Sequence, residues 1–500
     1  MGSINYIIAI DQGTTGTTIL LIDKAGQTVF KFYRDFAQSY PRPGWVEHDP
    51  ELIWQTVNDG LREVLQYIAA NNGKAAAIGI TNQRETVLVW ERATGKPVYP
   101  AIVWQCRRTA ERCRQLADDG SENSIREKTG LRLDPYFSAT KLEWLLNLPG
   151  VRAQAENGEL ICGTIDTWLI WRLTGGKTHV TDYSNASRTM LFNIRELRWD
   201  ADLLELFRIP PLILPEVRSS GGLFGYTDSK ITGTPIPISG VLGDQQAALF
   251  GQGCLKPGSM KNTYGTGCFL LMNTGPNIAP PDYGLLSTIA WGFHGQVTYA
   301  LEGSVFVAGA SIQWLRDELG ILNQAADSEA MALATENNNG VYFVPAFTGM
   351  GTPHWDPYAR GLLIGLTRGV TKNHIVRAAL EGIAFQVREI FESMSKASGE
   401  KPEVICVDGG AAANNFLLQF QADISNVVIE RNSNIELTGF GVGFMAGLAV
   451  GFWEDVDSLK TLIRLERSFI PKLNETDRGR LWRGWQRAVD RAKDWVEAGI

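Results

Sequence analysis

Two short turns rich in glycine and threonine carry the residue types that hold phosphate. The stretch YIIAIDQGTTGTTILLID, residues 6–23, places Asp11 at the end of an apolar run and follows it with Gln12, Gly13, Thr14, Thr15, Gly16 and Thr17. Glycines leave backbone N–H groups uncovered and hydroxyls add donors, so such a turn suits phosphate oxygens, with the Asp11 carboxylate placed to meet a Mg²⁺ ion. The plan returns in SMKNTYGTGCFLLMNTG, residues 259–275, where Tyr264, Gly265, Thr266 and Gly267 sit between two strand-like runs. A single turn of this kind is common in plain hairpins. Two copies, one per half of the chain, point to phosphate cradles facing each other across a cleft.

Polar residues elsewhere complete a pocket. In ITNQRETVLVW, Arg84 and Glu85 lie between two strand-like runs, where neighbours of opposite charge can both face one site; a solvent-exposed ion pair is the plainer alternative. In VLGDQQAALFG, Asp244 and Gln245 follow an apolar strand and precede a helical run, the usual place for a working carboxylate in an α/β sheet, although an N-cap role fits the same position. Other nucleotide signatures fail. GGKT at 175–178 would need a glycine where Trp171 stands, and GFGVG at 439–443 is followed by Phe444 instead of a third glycine. The six cysteines form no CxxC pair and the five histidines show no ligand spacing, so reduced thiols and no structural metal are expected.

These residues need a scaffold, and the pattern supplies one. Strand-like AAAIGITNQ, TVLVWE, IPISGVL and EVICVDGG alternate with helical PELIWQTVNDGLREVLQYIAA and NHIVRAALEGIAFQVREIFESM, which predicts an α/β fold. Ile383, Val387, Ile390, Phe391 and Met394 fall on one helical face, and Leu481, Trp485, Ala488, Ala492 and Trp495 on another. Five hundred residues exceed what one core usually serves, so two domains are expected, 1–252 and 253–500, meeting near the glycine-rich LFGQGCLKPGS. A net charge of −7 argues against nucleic acid and anionic membrane as partners, and no stretch is apolar enough to span a bilayer. With no basic segment leading into an apolar core at the N-terminus, the expected location is the cytoplasm.

Taken in order, DQGTT, NQRET, VWQCRRT, PYFSATK, GDQQAALFGQG, NTYGTGCF, TGMGTPHWDPYARG and VDGGAAANNFL resemble the FGGY family of carbohydrate kinases, in its glycerol-phosphorylating branch. Each motif alone is weak; eight in sequence are specific. The resemblance implies a two-domain actin-like, ribonuclease-H-like fold in which ATP-Mg²⁺ and a polyol meet in the cleft. It implies glycerol contacts at Arg84, Glu85, Trp104, Tyr136, Asp244, Gln245 and Phe269, with Asp244 as general base. On the nucleotide side it implies Thr14, Thr15 and Gly16, then Gly265 and Thr266, with Gly309, Gln313, Gly410, Ala411 and Asn414 around the adenosine, and Asp11 organising Mg²⁺. The product would be sn-glycerol 3-phosphate, the first step of glycerol utilisation, and the assembly a homodimer or homotetramer. A longer polyol or a ketose as substrate, or a catalytically weak sensor, are the competing expectations.

This chain departs from the family pattern in three places. Thr18 stands where the first turn usually carries an arginine, Cys106 replaces an aspartate in VWQCRRT, and ELTGFGVGFMAG replaces the usual ETTALGAAYLAG. The missing arginine predicts a weaker nucleotide site. Pro235 after Gly233 and Thr234 lacks the charge that regulated members use for a sugar bisphosphate, which predicts no such feedback.

Overall fold

The computed structural model describes residues 4–434 and 436–496. The first three residues, on which part of the N-terminal reading falls, lie outside them.

Two large sheets carry the molecule. The first takes in strands β1 (Ile4–Gln12), β2 (Gly16–Ile22) and β3 (Thr28–Asp35), helix α1 (Pro50–Ala70) on one face, then β4 (Gly73–Asn82), β5 (Gly221–Tyr226) and β6 (Pro237–Gly243), ordered β5-β6-β4-β1-β2-β3. Helix α2 (Asp244–Gly251) leaves the end of β6. β1 pairs with β2 as an antiparallel hairpin and with β4 in parallel, so the turn after Asp11 lies beside the loop that carries Arg84 and Glu85.

The second sheet repeats this plan. Its strands β7 (Met260–Tyr264), β8 (Cys268–Gly275), β9 (Leu286–Phe293) and β10 (Gln296–Val305) precede helices α3 (Gly309–Asp317) and α4 (Lys372–Ser398). Then come β11 (Val404–Asp408), α5 (Asn415–Ser425), β12 (Val428–Asn432), α6 (Leu437–Ala449), β13 (Leu465–Phe469) and α7 (Glu475–Ala492). The order is β9-β10-β8-β7-β11-β12-β13, again a hairpin, β7 with β8, whose first strand has a parallel neighbour, β11. A smaller four-stranded sheet, in which Val87–Glu91 pairs with the edge strand Leu160–Thr164, extends the first half.

The helices form for legible reasons. Asp49 caps α1 by accepting from the Glu51 N–H, Pro50 opens its first turn, and Ile53, Val57, Leu61, Val64 and Ile68 repeat at helical spacing into the core. The face expected on α4 is fully buried. The face expected at the C-terminus is cut short, because α7 ends at Ala492 and Trp495, past that end, is 68% exposed.

The glycines of ELTGFGVGFMAG have a packing reason. Helix α6 lies on the face of the first sheet opposite α1 and against α2, and a Cβ on Gly441 would meet the Ala247 carbonyl oxygen at 1.8 Å, one on Gly439 the Leu20 side chain at 2.7 Å. Close approach to α2 at Gly441 and to the sheet at Gly439 fixes these positions, and GFGVG lies within a helix and not in a dinucleotide-binding turn.

Candidate active site

Arg84 and Glu85 occupy the loop between β4 and the strand Val87–Glu91 and are buried, which removes the exposed ion pair as an alternative. The Arg84 fork meets Glu302 on β10, Nη1 donating to Oε2 at 2.6 Å and Nη2 to Oε1 at 3.0 Å. Its Nε lies 3.2 Å from Asp244 Oδ1. Arg188 donates from Nε to Glu85 at 2.7 Å and from Nη2 to Glu302 at 3.0 Å. Two arginines from one half of the chain thus share a carboxylate from the other. Burial pushes Glu302 up, but Arg188 and Arg84 outweigh it and hold the carboxyl down at about 2. The Arg84 guanidinium is raised in turn, the pull of Glu302 and Glu85 exceeding the cost of burial.

Glu85 takes a left-handed backbone, φ 61°, at a non-glycine residue, and the Ser138 hydroxyl donates to its carbonyl at 2.9 Å. Strain of this kind persists only where the surroundings impose it, and it clusters at working sites. Burial raises the Glu85 carboxyl against the pull of Arg84 and Arg188.

The aromatic residues close a small box. The Trp104 ring meets Tyr136 at 5.5 Å and Phe269 at 6.3 Å between centroids, both edge-on. Tyr136 lies 3.4 Å from Arg84 Nη2, and its phenol is raised by burial and by Glu85. Asp244 and Gln245 open α2 at the edge of this box, the Asp244 side chain 29% exposed and accepting from the Gln245 N–H at 2.7 Å. The site therefore offers carboxylate acceptors, guanidinium and phenol donors and flat apolar walls, a set that suits the hydroxyls and short carbon chain of a small polyol.

At the first turn, Gly13 N–H donates to the Gly16 carbonyl at 2.9 Å, closing the hairpin. Gly16 is also required by packing: a Cβ there would meet the Tyr33 ring at 2.9 Å and the Arg34 carbonyl oxygen at 2.8 Å. Thr15 is exposed and Thr14 half-buried. The Trp104 indole N–H donates to the Thr14 hydroxyl at 3.0 Å, so the aromatic box and the first turn touch. Burial, then the carboxylates of Asp244 and Glu436, push Asp11 up to about 8. Thr18 pairs across from Asp11, and the nearby cation, Lys31, pairs with Glu436.

At the second turn Gly265 and Thr266 are exposed and lean on the start of α3, the Gly309 N–H donating to Gly265 O at 3.0 Å and Ala308 N–H to Thr266 O at 2.8 Å. A Cβ on Gly309 would lie 2.6 Å from Gly265 O, so only glycine lets the two segments close. Gln313 is exposed on α3. Gly410 and Ala411 form a short turn after β11, with open space where a Gly410 side chain would go. Asn414 caps α5, accepting from Leu417 N–H at 2.9 Å and donating to Ser328 at 3.1 Å.

Sequence reasoning passed over Glu302, Arg188 and Lys261. Lys261 is fully buried on β7 and donates to Gln245 Oε1, to the Thr263 hydroxyl at 2.9 Å and to the Phe269 carbonyl at 3.2 Å. The available signal was a lone charge in a strand-like run, Glu302 in YALEGSVF and Lys261 in SMKNTY.

The N-terminal domain of the FGGY family of carbohydrate kinases matches residues 6–251, and its C-terminal domain matches residues 260–450. A glycerol kinase of Caldanaerobacter subterraneus is 55% identical over 98% of this chain and 99% of its own length. One from Carboxydothermus hydrogenoformans is 56% identical over 98% of both chains. The crystal structure of Plasmodium falciparum glycerol kinase with ADP superposes with a TM-score of 0.94 at 38% identity, covering 98% of this chain and 99% of that one.

Proposed function

The chain belongs to the FGGY family of carbohydrate kinases, and from that premise we infer that it transfers the γ-phosphoryl group of ATP to glycerol, giving sn-glycerol 3-phosphate and ADP. It is an enzyme with the two-domain α/β, actin-like fold of that family. The observation that carries the substrate reading is the convergence of Arg84, Glu85, Tyr136 and Asp244 beside the Trp104 and Phe269 rings, which sets donors and acceptors against apolar walls as a small polyol requires.

Arg84, Glu85, Tyr136 and Gln245 orient the hydroxyls while Trp104 and Phe269 pack the carbon chain. Asp244 takes the proton of the terminal hydroxyl as its oxygen bonds to the γ-phosphorus, and the bond from that phosphorus to the bridging oxygen breaks in line, releasing ADP. Positioning and charge neutralisation provide most of the acceleration in such transfers. Thr14, Thr15, Gly16, Gly265 and Thr266 hold the phosphates, and Gly309, Gln313, Gly410, Ala411 and Asn414 surround the adenosine.

The residues at Asp11 fit Mg²⁺. Asp11 offers one hard oxygen donor at the end of β1, beside the first turn, its carboxyl raised by burial and by Asp244 and Glu436. That suits an ion that keeps waters and binds mainly through substrate phosphates. When bound, Mg²⁺ supplies charge neutralisation on the phosphates, and Asp11 would hold it.

The remaining features follow the same reading: domains divided at 252 and 253, a homodimer or homotetramer, and a cytoplasmic enzyme with no helix among the described residues long and apolar enough to cross a membrane. ADP release assayed with ATP and a polyol panel tests the function. Glycerol should give the highest kcat/KM; a longer polyol or ketose exceeding it, or no turnover at all, would refute the reading.

A further inference from the structure

Lys261 sits at full burial on β7 with every donor committed. An ammonium has three donors and no acceptor, and these reach Gln245 Oε1, Thr263 Oγ1 at 2.9 Å and the Phe269 carbonyl at 3.2 Å. The two ends of an amide look alike in most structures, but chemistry decides here: a group that only donates must face the oxygen. The NH₂ end of Gln245 is thereby turned elsewhere, and it donates to no protein group among the described residues. Gln245 belongs to α2, attached to the first sheet, while Lys261, Thr263 and Phe269 belong to β7 and β8 of the second.

We propose that Lys261 is a positioning residue for the acceptor polyol: it fixes the Gln245 amide so that its NH₂, and not its carbonyl, meets a substrate oxygen beside Asp244, and it ties that contact across the two halves to the Phe269 wall. The proposal rests on the glycerol-kinase reading. A hydroxyl that gives its proton to Asp244 has lone pairs to offer; an NH₂ group accepts that arrangement and a carbonyl repels it. The charges facing Lys261 are Asp408 on β11, Asp244 on α2, Arg84 in the loop after β4 and Glu302 on β10. Burial, against the pull of Asp408 and Asp244, brings the amine down to about 8.

The test is a double-mutant cycle in the full-length enzyme. Lys261→Met should lower kcat/KM for glycerol by about 10- to 100-fold while the KM for ATP stays within about twofold. In a Gln245→Ala background the same substitution should cost less than about twofold more, since its partner is gone. An equal loss in both backgrounds, or an equal rise in the KM for ATP, would overturn the proposal. Should circular dichroism show Lys261→Met unfolded, Lys261→Gln carries the same cycle. Wild-type enzyme that ignores glycerol would refute the glycerol reading alone, and the cycle would then be run on the polyol it phosphorylates.

Discussion

Around Arg84 the structure holds its polar groups with other buried charges, whereas around Thr266 it leaves them in the open. Arg84, Glu85, Arg188 and Glu302 are at most 2% exposed and bound to one another. Gly265 and Thr266 are exposed and are shaped mainly by backbone contacts to Ala308 and Gly309. The difference follows from what each region would bind. A neutral polyol offers few strong contacts, so its pocket must have donors and acceptors fixed in advance; phosphates carry enough charge to be held by open N–H groups and hydroxyls. Glu302 and Lys261 reach from the second sheet to residues attached to the first, so the proposed polyol pocket depends on both halves being docked.

The largest effect should come from Asp244→Asn, which would lower kcat about 10²- to 10⁴-fold while glycerol affinity by calorimetry stays within about tenfold. A variant with more than half the wild-type kcat would make Asp244 only the opening residue of α2.

Next in size is Glu302→Gln. Removing one partner leaves two buried arginines with less countercharge, and a stability loss of about 3–5 kcal/mol is expected in denaturant titration, together with a raised KM for glycerol. The pH dependence has a definite sign. Glu302 is held at about 2 against an ordinary 4.5, so its contribution is full above pH ~4.5 and is lost as pH falls toward 2. Wild type and variant should therefore converge in stability on acidification; a gap that stays constant down to pH ~2.5 would contradict the network.

A sharper probe of the contrast is a pair of threonines. Thr266→Val should weaken ATP alone, by about 1.5–3 kcal/mol. Thr14→Val should weaken ATP and glycerol together, because its hydroxyl accepts from the Trp104 indole at 3.0 Å. Identical ligand profiles for the two variants would mean that the two regions are not built differently.

The smallest effect belongs to Thr18→Arg. Thr18 pairs across from Asp11, and Lys31 already pairs with Glu436 in that corner, so a new arginine should improve kcat/KM for ATP by only about two- to fivefold. No change would remove the idea that this chain's nucleotide site is weakened.

Local features were readable before the structure. The cap at Asp49, the buried faces of α1 and α4, the strand after which Asp244 follows and both hairpin turns are encoded by neighbours in the chain. What was not readable depends on partners far apart. Arg84 and Glu302 are separated by 218 residues, and a lone glutamate in an apolar strand gives no sign of which arginine it meets. Trp495 continued a periodic pattern, but the helix had already ended at Ala492. Nor does the sequence show that the missing side chain of Gly16 makes room for Tyr33, which lies on the next strand.

The central claim is tested most directly by incubating the enzyme with ATP, Mg²⁺ and glycerol and following both ADP release and the ³¹P NMR spectrum of the product. The account predicts ADP release that depends on glycerol, with one new phosphomonoester on a terminal carbon, and near loss of both in Asp244→Asn. ADP release that is independent of glycerol, or a phosphorylated product formed equally well by Asp244→Asn, would contradict it.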